Sequence, residues 1–341
     1  MKKIGVLGAG TWGVALARML SNAGNDVMIW SALEQEIDSL STTRKHPNLP
    51  GMEIPETITF TKCIQTVCEG MDILLFAVPS PFVRATARKV APFVTDGQVI
   101  VDVAKGIEAD TLFTMTQIIS DELKNPKVKL VALSGPTHAE EVSRDLPTTI
   151  VSASSDAAAA NLVQEVFTTG CMRVYTNDDV LGVELCGALK NVIALASGIA
   201  TGLGCGDNAK AALITRGIAE ISRLGAAMGC REQTFGGLAG IGDLIVTATS
   251  IHSRNNRCGI MLGQGISVEE ATRKVGMVVE GLNALPAALR LARHYNVEMP
   301  IVETVDAVVS GKTAVADAVH LLMTRGQKSE LNHSAFGIRY D

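Results

Sequence analysis

Much of what would mark other classes of protein is missing from this chain. Its 30 Lys and Arg do not outnumber its 35 Asp and Glu over 341 residues, giving a formal charge of −5. That slightly acidic balance offers no electrostatic footprint for nucleic acid or an anionic membrane surface. The seven cysteines (Cys63, Cys68, Cys171, Cys186, Cys205, Cys230, Cys258) are odd in number and show no C-x-x-C spacing, which predicts a reduced, cytoplasmic protein. The six histidines are scattered without an H-E-x-x-H pair, so no metal is expected. No G-x-S-x-G occurs, and hydrolase-type acyl transfer has no support. The longest charge-free apolar stretch, between Lys190 and Asp207, has 16 residues, short of the roughly 18 to 20 that a membrane span needs. Met1-Lys2-Lys3 opens like a signal peptide, but Arg18 breaks the apolar run and Gly8, Gly10 and Gly13 within it suit another purpose. Aromatics are only 4%, so the core must be built from Ala, Val, Ile and Leu.

What is present argues for a folded protein of two domains. Hydrophobic residues reach 47% against 19% charged, enough to bury a sizeable core. Up to about residue 178 short β-branched runs alternate with helical patterns: Ile4 to Leu7, Val27 to Trp30, Ile73 to Val78, Val99 to Val103 and Leu130 to Leu133. That alternation predicts a parallel, doubly wound sheet over 1–178. Over 179–341 the β signals stop and the spacing turns helical, with Ile214, Ile218, Ile221 and Gly225 on one stripe behind Asp207 as N-cap. Further helix starts are expected at Ser267, with Glu270 completing a capping box, and around Pro286. From Gly326 onward the chain reads as a loosely held tail.

Gly8-Ala9-Gly10-Thr11-Trp12-Gly13 is a G-x-G-x-x-G directly after the first strand and opening a helix from about Val14 to Leu20. The string alone is weak; its position makes it a dinucleotide-binding turn of the Rossmann type. Gly8 permits the turn, Gly10 lets a pyrophosphate approach bare backbone, Gly13 lets helix pack on strand, and the helix N-terminus faces the anion. Where an NAD enzyme commonly carries an acid after the second strand, this chain has Ser31-Ala32. Ser31 can donate to a 2′-phosphate, no Arg follows, and Glu34 is the acid within reach of swinging back. The balance leans to NADP, with NAD or dual use the alternative. Ligands of such sheets gather at the carboxyl ends of strands. That singles out Val78-Pro79-Ser80-Pro81-Phe82, Ala104-Lys105-Gly106 and Ser134-Gly135-Pro136-Thr137-His138-Ala139-Glu140, with Lys105 a cation facing the cleft or a solvated surface group.

In the second half, Lys190 interrupts an almost wholly apolar helical stretch, Leu181 to Gly198. Its ammonium either snorkels to solvent or is partly desolvated toward a pKa useful for proton transfer. Asp243 and Thr247 lie one helical turn apart and share a face, where they can orient an ammonium or hydroxyl, or Asp243 can simply cap its helix. Ser253-Arg254-Asn255-Asn256-Arg257, read as a loop, gathers groups that suit a phosphate, the bland alternative being a solvated basic turn.

Taken together, Gly8 to Gly13, Val78-Pro79-Ser80, Ala104-Lys105-Gly106, Ser134 to Glu141, Leu189-Lys190-Asn191, Gly206 to Ala212, Gly242-Asp243, Ser253-Arg254-Asn255 and Val278-Val279-Glu280-Gly281 resemble the NAD(P)-dependent glycerol-3-phosphate dehydrogenases, most closely the bacterial biosynthetic type. The resemblance runs from Lys3 to about Leu322 in the family's order. It implies a Rossmann-type domain followed by an all-α domain, and a cytoplasmic homodimer that reduces dihydroxyacetone phosphate reversibly to sn-glycerol 3-phosphate for glycerophospholipid synthesis. It also implies roles. Lys190 matches the proton donor, Asp243 and Thr247 its support, Asn191 its neighbour, and Lys105 a second lysine at the substrate and cofactor. Arg254 and Asn255 match the phosphate grip, with Arg254 also at the cofactor. Gly135, Thr137 and Ser253 match substrate contacts, and Thr11, Trp12, Ala139, Val278 and Glu280 cofactor contacts. Thr137 stands where Ser is frequent, keeping the hydroxyl. Ser31-Ala32 stands where many members place a basic residue, which weakens a transferred NADP preference. Two other readings cover part of the pattern: a two-domain hydroxy-acid dehydrogenase, which would not need the phosphate grip, and a non-catalytic NAD(P) sensor, which would leave Lys190, Asp243 and Arg254 idle.

Overall fold

The computed structural model describes residues 1–327 and residue 330; beyond its first two residues and residue 330, the expected tail lies outside them. The described residues form two compact units, one of residues 1–105 with 113–180, the other of 106–112 with the described residues from 181.

In the first unit, strand and helix alternate: β1 (Lys3–Leu7), α1 (Thr11–Asn22), β2 (Asp26–Trp30), α2 (Glu34–Thr43), β3 (Thr59–Thr61), α3 (Ile64–Cys68), β4 (Ile73–Phe76), α4 (Val83–Val90), β5 (Val99–Asp102), α5 (Met115–Leu123), β6 (Lys129–Ser134), α6 (Ala139–Val142), β7 (Thr148–Ala153), α7 (Ala157–Phe167) and β8 (Met172–Asn177). The strands form one sheet in the order β3-β2-β1-β4-β5-β6-β7-β8. The order reverses at β1, which pairs with β2 (Ile4 opposite Val27) on one side and β4 (Ile4 opposite Ile73) on the other. In doubly wound sheets the crevice beyond the strand ends at that reversal receives the ligand. Ile4, Val6, Ile29, Ile73, Leu75 and Val101 are wholly buried, as expected for strands covered by helices on both faces. The expected sheet is present with two changes: β6 and β7 run antiparallel, and β3, β7 and β8 add to the five strands read from sequence. β3 is too short to show a pattern, while β8 buries Met172 and Val174 and turns Arg173 and Tyr175 outward, the alternation of a strand at a sheet edge.

The second unit is helical: α8 (Val180–Gly202), α9 (Asp207–Ala227), α10 (Glu232–Phe235), α11 (Asp243–Thr249), α12 (Arg254–Gly263), α13 (Val268–Val275), α14 (Glu280–His294), α15 (Pro300–Val309) and α16 (Ala318–Met323). α8 is long and apolar enough to cross a membrane, but 89% of its most apolar stretch is buried inside the protein; a helix apolar on every face belongs in a core. α8 and α12 approach backbone to backbone. A Cβ on Gly198 would lie 2.2 Å from the Asn256 carbonyl oxygen, and one on Gly259 2.2 Å from that of Leu195, with Gly202 and Gly263 repeating the contact one turn on. The short segment 106–112 belongs to this unit: Ile107 lies in its core, and Arg290 donates to the carbonyls of Ala109 and Asp110.

Several helix starts differ from expectation. Gly206, not Asp207, is the N-cap of α9, and Asp207 is its first helical residue. Ser267 Oγ does accept the Glu270 N–H, while the Glu270 carboxylate pairs with Lys274 at 3.0 Å. α14 begins at Glu280, so Pro286 lies inside it; burial of Ala284, Leu285, Ala287, Ala288 and Leu291 outweighs the missing proline N–H.

Glu220 of α9 is 2% exposed. Its carboxylate accepts the N–H groups of Ile301 (2.8 Å) and Val302 (3.4 Å) at the start of α15, which has no side-chain cap of its own. Burial pushes its pKa up to about 7 from 4.5, against those backbone bonds and the nearby Arg223. From about pH 4.5 to 7 the folded chain therefore holds a proton that the unfolded chain releases. This contribution to stability falls as pH rises, by about 3 kcal/mol across the window. Denaturant melts at pH 5 and pH 8 should show that loss, and Glu220→Gln should flatten it; an unchanged slope in the variant refutes the assignment.

Candidate active site

The Gly-rich turn lies at the end of β1. Gly8 has φ +124°, and a Cβ there would lie 2.7 Å from the Ala77 carbonyl oxygen, so glycine is required on both counts. A Cβ on Gly13 would lie 2.3 Å from the Gly8 carbonyl oxygen, whereas Gly10 faces open space. The N-cap of α1 is Gly10, with no side-chain cap, and the Thr11 hydroxyl oxygen is buried without a hydrogen-bond partner. An uncapped helix N-terminus, bare backbone and an unsatisfied hydroxyl fit a pyrophosphate, so the residues present suit a dinucleotide.

At the neighbouring strand ends, Lys105 Nζ donates to the Gly135 carbonyl at 3.0 Å, and Thr137 Oγ1 donates to the same oxygen at 3.1 Å. The Ser134 hydroxyl beside them is buried and unsatisfied, a second polar group awaiting a partner. Ala139 starts α6 and Trp12 is half-buried in the first turn of α1.

After β2 the outcome departs from the expectation. Ser31 is buried, and its hydroxyl donates to Glu36 Oε2 at 2.6 Å while accepting the Leu33 N–H at 3.2 Å. Glu34 does not swing back; it lies 3.7 Å from Lys62. Sequence reading missed Glu36 and also His46, a buried imidazole whose Nδ1 accepts the Asn48 N–H at 3.1 Å and which feels both the Ala9 backbone of the Gly-rich turn and the charge of Glu36. Burial holds the His46 pKa below its ordinary value. Neither residue stands in a motif, and only the acidic first turn of α2 hinted at one of them.

In the second unit, α8 and α11 bring Lys190, Asp243 and Thr247 together. Lys190 neither snorkels nor meets solvent; its side chain is 5% exposed and that of Asp243 is 1%. Nζ donates to Asp243 Oδ1 and, at 2.5 Å, to Thr247 Oγ1. Thr247 Oγ1 in turn donates a hydrogen bond to the Asp243 backbone carbonyl at 2.7 Å. Asp243 is thus held by more than a capping role. A wide turn over Leu238–Gly242, with Gly240 outside helical geometry (φ −93°, ψ −106°), delivers it to α8. Two charges this deeply buried persist only when paired and hydrogen-bonded.

Ser253 to Arg257 are not a loop. Ser253 caps α12, its Oγ accepting the Asn256 N–H at 3.2 Å, so Arg254 and Asn255 occupy the first helical turn; a serine before a polar first turn is a helix start as readily as a loop. Half-buried Arg254 donates to the Val278 carbonyl at 3.1 Å. Asn255 bridges three elements, donating through Nδ2 to Asn191 Oδ1 at 2.9 Å and accepting the Gly281 N–H at 2.8 Å. Asn191 in turn donates to the Gly187 carbonyl, and Glu280 opens α14 beside Gly281. One network therefore ties Lys190's helix to the Arg254 turn and the Val278–Gly281 segment.

The family model described as NAD-dependent glycerol-3-phosphate dehydrogenase N-terminus matches residues 3–160, and the one described as its C-terminus matches 179–320. Among curated relatives, the chain is similar to glycerol-3-phosphate dehydrogenase (NAD(P)+) 2 of Lactobacillus delbrueckii subsp. bulgaricus, with 64% identity over 97% of this chain and 99% of that one. A glycerol-3-phosphate dehydrogenase (NAD(P)+) of Agathobacter rectalis is 51% identical over 97% of this chain and 98% of that one. The crystal structure of glycerol-3-phosphate dehydrogenase from Coxiella burnetii superposes with a TM-score of 0.91 at 35% identity, covering 95% of this chain and 99% of that one. Matched in both halves and over nearly its whole length, this chain is an oxidoreductase of the NAD-dependent glycerol-3-phosphate dehydrogenase family.

Proposed function

We propose that the chain reduces dihydroxyacetone phosphate to sn-glycerol 3-phosphate, reversibly, with NAD(P)H. The observation that carries the reading is the ammonium of Lys190, buried on α8 and held between Asp243 and Thr247. Such a group suits a carbonyl whose oxygen gains negative charge as it is reduced. When bound, reduced nicotinamide supplies the hydride for the carbonyl carbon. Lys190 Nζ gives its proton to the carbonyl oxygen, becomes a neutral amine, and takes up a proton again before the next turnover; Asp243 and Thr247 fix its position throughout. Asn191 anchors Asn255, which with Arg254 and the Ser253 hydroxyl holds the phosphate. Arg254 supplies a planar pair of donors that matches a phosphate.

In the first unit, Gly8, Gly10, Thr11, Trp12, Gly13 and Ala139 hold the dinucleotide, and Lys105, Gly135 and Thr137 contact the substrate. Val278 and Glu280 complete the cofactor contacts. Binding energy from the distant phosphate orients the carbonyl. The family resemblance supports a homodimer working in the cytoplasm and supplying glycerophospholipid synthesis. The test follows loss of reduced-nicotinamide absorbance with dihydroxyacetone phosphate and with unphosphorylated dihydroxyacetone. Rapid oxidation that depends on the phosphate is expected. Equal rates with both compounds, or none with either, would overturn the reading.

A further inference from the structure

We propose that the ribose end of the dinucleotide site accepts a 2′-hydroxyl and rejects a 2′-phosphate, so that NADH binds in preference to NADPH; the inference rests on the dinucleotide reading of Gly8–Gly13. In this fold the adenosine ribose reaches the end of β2, where an acid marks NAD and a cation marks NADP. The acid here is Glu36, supplied from the first turn of α2 instead of the strand end. The Ser31 hydroxyl holds it at 2.6 Å, and its charge reaches buried His46, which also feels the backbone of Ala9. Its carboxylate therefore sits at the end of β2, on the Ser31 hydroxyl.

The lean toward NADP assumed a Ser31 proton available to a phosphate. That proton is committed to Glu36, and the oxygen accepts from Leu33. The next side chains, Ala32 and Leu33, carry no charge, and Leu33 is 66% exposed where a guanidinium would be needed. Nearby cations are engaged elsewhere. Lys62, just past the β3 residue that pairs with Trp30, lies 2.7 Å from Asp38 and 3.7 Å from Glu34. Arg44, at the far end of α2, donates to the carbonyls of Pro55 and Ile58 and pairs with Glu56. A 2′-phosphate would thus meet a carboxylate with no unengaged cation beside it among the described residues, whereas a ribose hydroxyl would find an acceptor.

The test titrates the full-length protein with NADH and with NADPH, reading Kd from nicotinamide fluorescence and by calorimetry. NADPH should bind at least about tenfold more weakly than NADH, the equivalent of one unfavourable charge contact. Glu36→Gln retains an acceptor for Ser31 and should tighten NADPH while weakening NADH, collapsing the ratio. Leu33→Arg, an exposed change that leaves Glu36 in place, should tighten NADPH by about tenfold and covers the case in which the Gln variant folds poorly. NADPH binding as tightly as NADH to the wild type, or a ratio unmoved in both variants, overturns the proposal. Failure of either dinucleotide to bind overturns the dinucleotide reading with it. Selective NADH binding without reduction of dihydroxyacetone phosphate would sustain this inference and refute the proposed reaction.

Discussion

Lys190→Met is expected to lower kcat for dihydroxyacetone phosphate by about 10³-fold or more, because in the proposed reaction it removes both the proton donor and the positive charge at the carbonyl oxygen. It should also destabilise the protein by about 3 kcal/mol or more, since Asp243 would be left charged and buried without its partner. The double variant Lys190→Met, Asp243→Asn separates the two effects: removing both charges restores most of the stability and none of the turnover. Comparing kcat with the denaturation midpoint for the three proteins settles the matter. A double variant that recovers turnover sinks the catalytic role. A single variant as stable as the wild type shows that the ion pair is not what holds α8 to α11. Lys190→Ala alone would confound loss of chemistry with loss of fold.

Gly259→Ala should be the other large effect, and its sign is diagnostic. On helix propensity alone, alanine in place of an interior helical glycine stabilises by up to about 1 kcal/mol. Here the new Cβ would stand 2.2 Å from the Leu195 carbonyl oxygen and 2.9 Å from the Cα of Gly198, and backbone cannot yield as a side-chain end can. Separating α8 from α12 opens voids along the seam, and a loss of about 3 kcal/mol is expected, or roughly 6–12 °C in Tm. Gly236→Ala, whose Cβ would meet nothing closer than 3.7 Å, is the control and should be near neutral. Residual activity of folded Gly259→Ala should show a raised KM for the phosphate substrate, because α12 carries Arg254 and Asn255. An unchanged Tm would show that the seam has slack.

The sequence disclosed what depends on local pattern. β1 with Gly8–Gly13 combines a buried strand, a glycine turn and a helix start within twenty residues; strand and turn stand where the sequence puts them, and the helix opens three residues earlier, at Thr11. Lys190 stood out because an ammonium is foreign to an apolar helix, and Asp243 with Thr247 because four residues make one turn. Their meeting was not legible, since a separation of 53 residues is closed only by how α8 and α11 pack. Glu36 was invisible for a related reason: its closeness to Ser31 depends on the bend at Ala32-Leu33 and on His46 ten residues later. The polar run at Ser253 looked like a loop because nothing local shows that Asn255 is tied to Asn191 and Gly281. Pro286 misled in the opposite direction, a strong local breaker overridden by the apolar stripe of α14.

The short segment 106–112 has a consequence for biosynthesis. Ile107 belongs to the core of the helical unit, yet it leaves the ribosome more than seventy residues before the first residue of α8, and the rest of the sheet from β6 to β8 must be made in between. Chains of this size generally mature domain by domain as they emerge. Here the helical unit holds back a piece of itself inside the sequence of the other, so the two cannot be completed strictly in order. Nor can the C-terminal half be excised as a contiguous fragment without losing a core residue and the carbonyls that Arg290 grips. Any attempt to study the helical unit in isolation has to graft residues 106–112 back on.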